Sequence, residues 1–256
     1  MEHSYIDEYS TISSPIHRLD PRVKIIGFVG FMLFVIFTKP TSFHTFFLYA
    51  FFLLGLILLS KLPLRFVLMR SLTIIPFVLM IALFIPFLKK GEVAGGYSLG
   101  SLKLVITYDG LIIFWNVLIK AYLSILCMIL LVSTTKFAVF LKALEKLKIP
   151  KVIVMVLSFM YRYIFVIFDE LMEMKRAKDA RSVGGSRWFH AKALANMLGV
   201  LFVRSYENGE AVYLAMCARG FSGTIKTLDR LVFKKTDLLF LVTIFLILGG
   251  IITFAD

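Results

Sequence analysis

Long apolar blocks alternate with short polar stretches along the chain. The blocks lie at about Val23–Phe37, Phe43–Leu59, Ser71–Leu88, Leu111–Val132 and Asp237–Phe254. Each approaches or exceeds the length that crosses a bilayer as a helix and holds few charges. Glycines and prolines punctuate these runs, which do not alternate with period two, so the pattern predicts helices and not a barrel. Gly27 and Gly30 loosen the first block, and Pro76 and Pro86 kink or end the third. The polar connections set a direction. Arg18, Arg22 and Lys24 precede the first block, Lys61, Arg65 and Arg70 follow the second, and Arg230, Lys234 and Lys235 precede the last. Basic clusters stay in the cytoplasm, which puts the N-terminus inside and the C-terminus outside. The turn Thr38-Lys39-Pro40-Thr41 and the glycine-rich loop Lys89–Leu102 fall outside, the latter with Lys89, Lys90 and Lys103 against the charge rule.

The stretch between the fourth and fifth blocks has a different character. Phe137–Leu147 is apolar on one side and charged on the other, a short surface helix stopped at Ile149-Pro150. Val152–Phe168 is apolar enough to resemble a span, but Arg162 stands near its centre, where hydrocarbon penalises a charge. Arg162, Asp169, Glu173, Arg176 and Ala180 recur at helical spacing, so one helix of about 29 residues, or roughly 43 Å, carries a polar stripe to Ala180. A second runs from about Phe189 to Arg219, its apolar positions three and four apart until Arg204, Glu207 and Glu210 interrupt them. The expected fold is an all-α integral membrane protein. It has about five transmembrane helices plus two or three long amphipathic cytoplasmic helices. Its parts are residues 1–135 (four spans), 136–235 (cytoplasmic) and 236–256 (the last span). A seven-span alternative that counts both long helices as crossings leaves the termini on the same sides.

Composition supports the membrane reading: 59% of the 256 residues are hydrophobic and 26 are Phe. Net charge is +13, and residues 136–235 hold 18 Lys and Arg against 8 Asp and Glu. Such a basic block could meet nucleic acid or anionic lipid. A cytoplasmic face explains it more simply, with lipid but no nucleic acid as a partner. The polar start, Met1–Asp20, lacks the charged-then-apolar form of a cleaved leader. Cys127 and Cys217 make neither a disulfide framework nor a metal framework. His3, His17, His44 and His190 have no second ligand at helical spacing, and no phosphate-binding loop or nucleophile motif occurs. No catalytic residue, metal ligand or bound cofactor is expected. Lys120 lies inside the fourth block, a functional candidate by position and a packing or snorkelling lysine by frequency.

Two segments end alike. Ala180-Arg181-Ser182-Val183-Gly184-Gly185 and Ala218-Arg219-Gly220-Phe221-Ser222-Gly223 share the frame Ala-Arg-small-x-x-Gly, 38 residues apart. Arg before glycine at a helix end is ordinary capping. It also presents a planar guanidinium suited to carboxylates and carbonyls on a partner, and the repetition favours docking. Both roles remain open at this point.

These motifs, with Ser158-Phe159-Met160-Tyr161-Arg162-Tyr163 and Asp169-Glu170, resemble the transmembrane T component (EcfT family) of energy-coupling factor (ECF) transporters. Ile6-Asp7-Glu8-Tyr9 and Ser14-Pro15-Ile16-His17-Arg18-Leu19-Asp20-Pro21 resemble its cobalt branch, CbiQ. The resemblance implies a non-catalytic scaffold in the cell membrane. It would hold a substrate-binding S component, CbiM-like with or without a small accessory subunit, against two ABC-type ATPases. By position, Ala180, Arg181 and Ser182, with Ala218, Arg219 and Gly220, take the ATPase-docking roles; Ser182 stands where the family has glycine. The alternatives are a nickel or vitamin T component, a self-contained secondary transporter using Asp109 and Lys120, and a membrane enzyme.

Overall fold

A computed structural model describes residues 9–10, 12–40, 43–88, 93–99, 102–181, 184, 186–221, 223 and 233–253. The elements run α1 (Pro21–Phe37), α2 (Phe43–Ser60), α3 (Leu64–Ala82), α4 (Ile85–Leu88), β1 (Val93–Leu99), β2 (Leu102–Thr107), α5 (Tyr108–Thr134), α6 (Phe137–Lys146), α7 (Lys151–Arg181), α8 (Arg187–Ala218) and α9 (Lys235–Thr253). The protein is helical and multi-pass, as its apolar blocks predict. Among the described residues, three helices are long and apolar enough to cross a membrane: Leu64–Phe87, Tyr108–Thr134 and Lys151–Arg181. The third is α7, which the sequence reading made partly embedded and partly cytoplasmic, not a span, because of Arg162; its length and composition match a crossing helix.

Two boundaries differ from expectation. The third apolar helix begins at Leu64, not Ser71, with Pro63 at its N-cap and Pro76 held inside it. Arg65 and Arg70 had marked this stretch as loop, but a helix tolerates arginine in its first turns when the side chain reaches water. The glycine-rich stretch is not all loop. It folds into an antiparallel hairpin with Tyr97 opposite Leu104 and Leu99 opposite Leu102, irregular between Val93 and Gly95. The glycines masked the β-branched run Leu102–Thr107, whose Thr107 Oγ1 donates to the Pro86 carbonyl at 3.3 Å.

The chain divides into two compact units, one of Ser4–Phe140 and Leu231–Asp256, the other of Met1–His3 and Leu141–Arg230. In the first, α1 packs against α5 and α9, and α5 against α2, α3 and α4. Gly27 and Gly30 do not loosen α1. A Cβ on Gly27 would come within 3.2 Å of Ile244, and one on Gly30 within 3.1 Å of the Phe245 ring, so both let α9 approach closely. Gly110 is tighter: its Cβ would stand 2.8 Å from the Pro86 Cα. Phe28, Phe31, Val35, Tyr49, Leu53, Leu130 and Leu248 are almost wholly enclosed.

Polar groups tie the ends of this bundle. Asp20 caps α1 by accepting from the Arg22 amide at 2.9 Å, as Asp20-Pro21 predicts. Asp237, 1% exposed, accepts from the Asp20 amide at 3.0 Å and the Lys234 amide at 2.7 Å. Lys24, equally buried, donates to the carbonyls of Thr134 at 2.9 Å and His17 at 3.2 Å. The starts of α1 and α9 and the end of α5 therefore lie together. At the opposite end of α1, Lys120 Nζ donates to the Ile36 and Thr38 carbonyls at 2.8 and 2.7 Å, and Asn116, one turn earlier on α5, donates to Pro40 at 3.0 Å. Lys120 thus closes the negative end of α1, the packing role. Asp109, its partner in the secondary-transporter reading, is exposed in the first turn of α5.

Candidate functional site: two helix ends that present arginine

Between Lys151 and Arg181 no glycine or proline interrupts the sequence, so α7 runs for 31 residues, about 46 Å. Pro150 starts it, its carbonyl accepting from the Ile153 amide at 3.0 Å. Helix α8 adds 32 residues, about 48 Å, and Ser186 caps it by accepting from the Phe189 amide at 3.4 Å. Arg204 on α8 reaches Glu170 on α7 at 3.0 Å. Arg204 had served in the sequence only to argue against a span; it joins the two helices.

The two arginines sit where the sequence places them. Arg181 is the last residue of α7 and Arg219 the C-cap of α8, and both are exposed, as are Ala180, Ala218 and Gly220. The α8 end is resolved bond by bond. Gly220, with φ of 81°, donates its amide to the Cys217 carbonyl at 3.0 Å, and Phe221 donates to Met216 at 3.1 Å. These are the paired bonds of a glycine-terminated helix, in which backbone amides satisfy the orphan carbonyls. The Arg219 side chain is not needed to close the helix. Among the described residues no ion pair reaches Arg181 or Arg219. Each end therefore offers a fork of N–H donors outward. At the α7 end, Gly184 takes a φ of 80°, while Ser182, the departure from glycine, lies outside the described residues.

Little of either helix is enclosed: Val154 is the buried residue of α7 and Leu201 that of α8. Val156, Met160, Ile164 and Phe168 on α7, and Leu198, Phe202, Tyr206 and Leu214 on α8, are more than half exposed. Such faces mark contact with lipid or protein. No group of three or more metal-ligating side chains occurs among the described residues.

A family profile described as cobalt transport protein, CbiQ, matches residues 12–228. The energy-coupling factor transporter transmembrane protein EcfT of Limosilactobacillus fermentum is 30% identical over 82% of the chain and 81% of its own length. The chain belongs to the CbiQ/EcfT family. The EcfT of Bacillus subtilis is 28% identical over 87% of the chain and 86% of itself. An uncharacterized protein of Methanocaldococcus jannaschii is 28% identical over 99% of the chain and 87% of itself. The profile spans both arginine ends and most of the bundle, so membership rests on the whole architecture and not on one motif.

Proposed function

We propose that this CbiQ/EcfT protein is the membrane scaffold of an ECF-type importer for cobalt, seated in the cell membrane with its N-terminus in the cytoplasm. It couples two ABC-type ATPases to a membrane S component, CbiM-like, that carries the substrate; hydrolysis belongs to the ATPases, and this chain binds no cofactor. Residues 136–235 form the coupling region. Ala180-Arg181-Ser182 and Ala218-Arg219-Gly220 dock on the two ATPases. The observation that carries the reading is the α8 end, where backbone amides complete the cap and leave exposed a guanidinium that the cap does not use. Cobalt rests on the family description, and a nickel or vitamin cargo is the neighbouring reading.

The mechanism is mechanical. Two helices of about 46 and 48 Å, pinned to each other by Glu170–Arg204, carry motion of their arginine ends along their length when the ATPases close on ATP. Their exposed apolar faces, with Met155, Met160, Met172 and Met174 on α7, give the S component a surface able to repack.

The test is co-purification of the ATPases with wild type and with Arg181→Glu/Arg219→Glu, each shown to be folded in detergent. If the arginines were caps only, truncation would remove about 0.3–1 kcal/mol of helix stability and leave assembly intact. As buried docking charges each contributes about 2–5 kcal/mol of binding, so the double variant should lose the ATPases. Lysine at either position should rescue poorly, since an ammonium lacks the planar fork. Full ATPase retention by the folded double variant refutes the docking role, and failure of the assembled complex to take up cobalt refutes the cargo.

A further inference from the structure

Helices α2, α3 and α5 enclose a groove of about 660 Å³ whose walls are almost entirely apolar, among them Ala50, Leu54, Val67, Leu79, Trp115 and Tyr122. Along α3 it extends from Leu64 to Leu79, about 22 Å, or roughly three-quarters of a 30 Å hydrocarbon core. No feature of the scaffold reading uses this space. A 22 Å length of helix about 10 Å across occupies roughly 1,700 Å³, close to the empty space of the groove, about 1570 Å³, so the charges at the mouth and not size discriminate between occupants. A single extended hydrocarbon chain fits lengthwise.

The charges at one mouth identify the rest of the ligand. The groove begins beside the connection from α2 to α3, where Lys61 (φ of 56°) and Arg65 are both exposed. Arg65 lies one position beyond Leu64 and one turn before Leu68, two residues of the groove wall, so it flanks the opening. Among the described residues no ion pair reaches Lys61 or Arg65, whereas the Arg70 guanidinium lies 5.6 Å over the Phe66 ring. From residue 41 to 88 the sequence contains no Asp or Glu at all, so nothing on α2 or α3 offsets these cations. A basic mouth opening on an apolar slot of membrane depth matches an anionic headgroup with an acyl chain behind it.

We propose that the α2–α3–α5 groove binds an anionic phospholipid, one acyl chain lying between Leu64 and Trp115 and the phosphate held by Lys61 and Arg65. The lipid would complete the packing of α3, whose wall residues otherwise face an open slot.

Trp115 in the groove makes the proposal measurable. The chain has two tryptophans, and Trp188→Phe removes the other. The full-length Trp188→Phe protein in nanodiscs of phosphatidylcholine is titrated with chain-brominated phosphatidylglycerol or with chain-brominated phosphatidylcholine, and Trp115 quenching is followed. Phosphatidylglycerol should quench at a mole fraction about tenfold lower than phosphatidylcholine, as two basic residues at an anionic headgroup require. Lys61→Gln/Arg65→Gln, a surface change that leaves packing alone, should bring the two lipids to near parity. Ala50→Phe, which fills the groove, should reduce quenching by both. Equal quenching by the two lipids in the unmutated groove, or a preference that survives Lys61→Gln/Arg65→Gln, would mean bulk lipid only and overturn the proposal. So would loss of the preference when the partner subunits are bound, which would give the groove to a protein.

Discussion

The two units of this protein solve the problem of a hydrophobic sequence in opposite ways. The bundle formed by α1–α5 and α9 buries aromatic and aliphatic side chains, brings glycines against neighbouring helices, and fastens helix ends with Asp20, Lys24, Asp237, Asn116 and Lys120. The unit of α7 and α8 buries little along its two long helices, among whose described residues the pair Glu170–Arg204 links one to the other. Its apolar faces and arginine ends are exposed. The bundle is held by contacts of its own, one groove between α2, α3 and α5 apart, while the α7–α8 unit leaves its apolar faces and arginine ends open. That contrast predicts where substitutions act on stability and where they act on assembly.

The largest effect on folding should follow Asp237→Ala. It strips the acceptor from two backbone amides, the one at Asp20 buried, a loss of about 2–5 kcal/mol. Denaturant unfolding in detergent checks it, and an unchanged midpoint would end the claim that the bundle is fastened here. Next is Gly110→Ala, whose new methyl meets the Pro86 backbone and should destabilise by about 1–3 kcal/mol. The matching change in the other unit, Gly209→Ala on α8, meets open space and should instead stabilise by up to about 1 kcal/mol through helix propensity. Equal signs for the two would erase the contrast.

A smaller effect concerns pH. His17 Nε2 donates to the Tyr9 carbonyl at 3.1 Å, and the Ser14 hydroxyl lies 2.7 Å from Nδ1, an arrangement that suits the neutral ring. Burial, and secondarily the charge of Lys24, lowers its pKa below 6.5. The unfolded ring therefore takes up a proton first as pH falls. The contribution is complete above about pH 6.5 and is lost as pH drops from there through the folded value. Amide exchange across Ser14–Leu19 should quicken in that window and stay level with His17→Gln. Smallest is Glu170→Gln, which should remove about 0.2–1 kcal/mol, because the Arg204 partner is mostly in water. A loss of several kcal/mol there would show α7 and α8 to be fastened as tightly as the bundle.

Much was legible in the chain before folding. Apolar blocks marked the helices, because backbone groups in lipid must satisfy one another locally. Asp20-Pro21 marked the start of α1, and the Ala-Arg-small repeats marked the ends of α7 and α8, because caps are local chemistry. Arg181 and Arg219 could be placed at helix ends for that reason. What sequence misread was long-range. Gly27 and Gly30 looked like weakness until α9 was placed against them, and Arg65 looked like loop until the helix was seen to begin at Leu64. Lys120 could be given a packing role only when the carbonyls of Ile36 and Thr38, more than 80 residues away, were set beside it. Asp237 gave no signal, because its partner amide at Asp20 lies 217 residues earlier. Local hydrogen bonds and hydrophobic periodicity are written within a few residues of one another, so the sequence alone decided which segments are helices and how they end. Which polar atom meets which across the bundle, and which apolar faces stay empty, depends on distances between helices that only the tertiary structure sets.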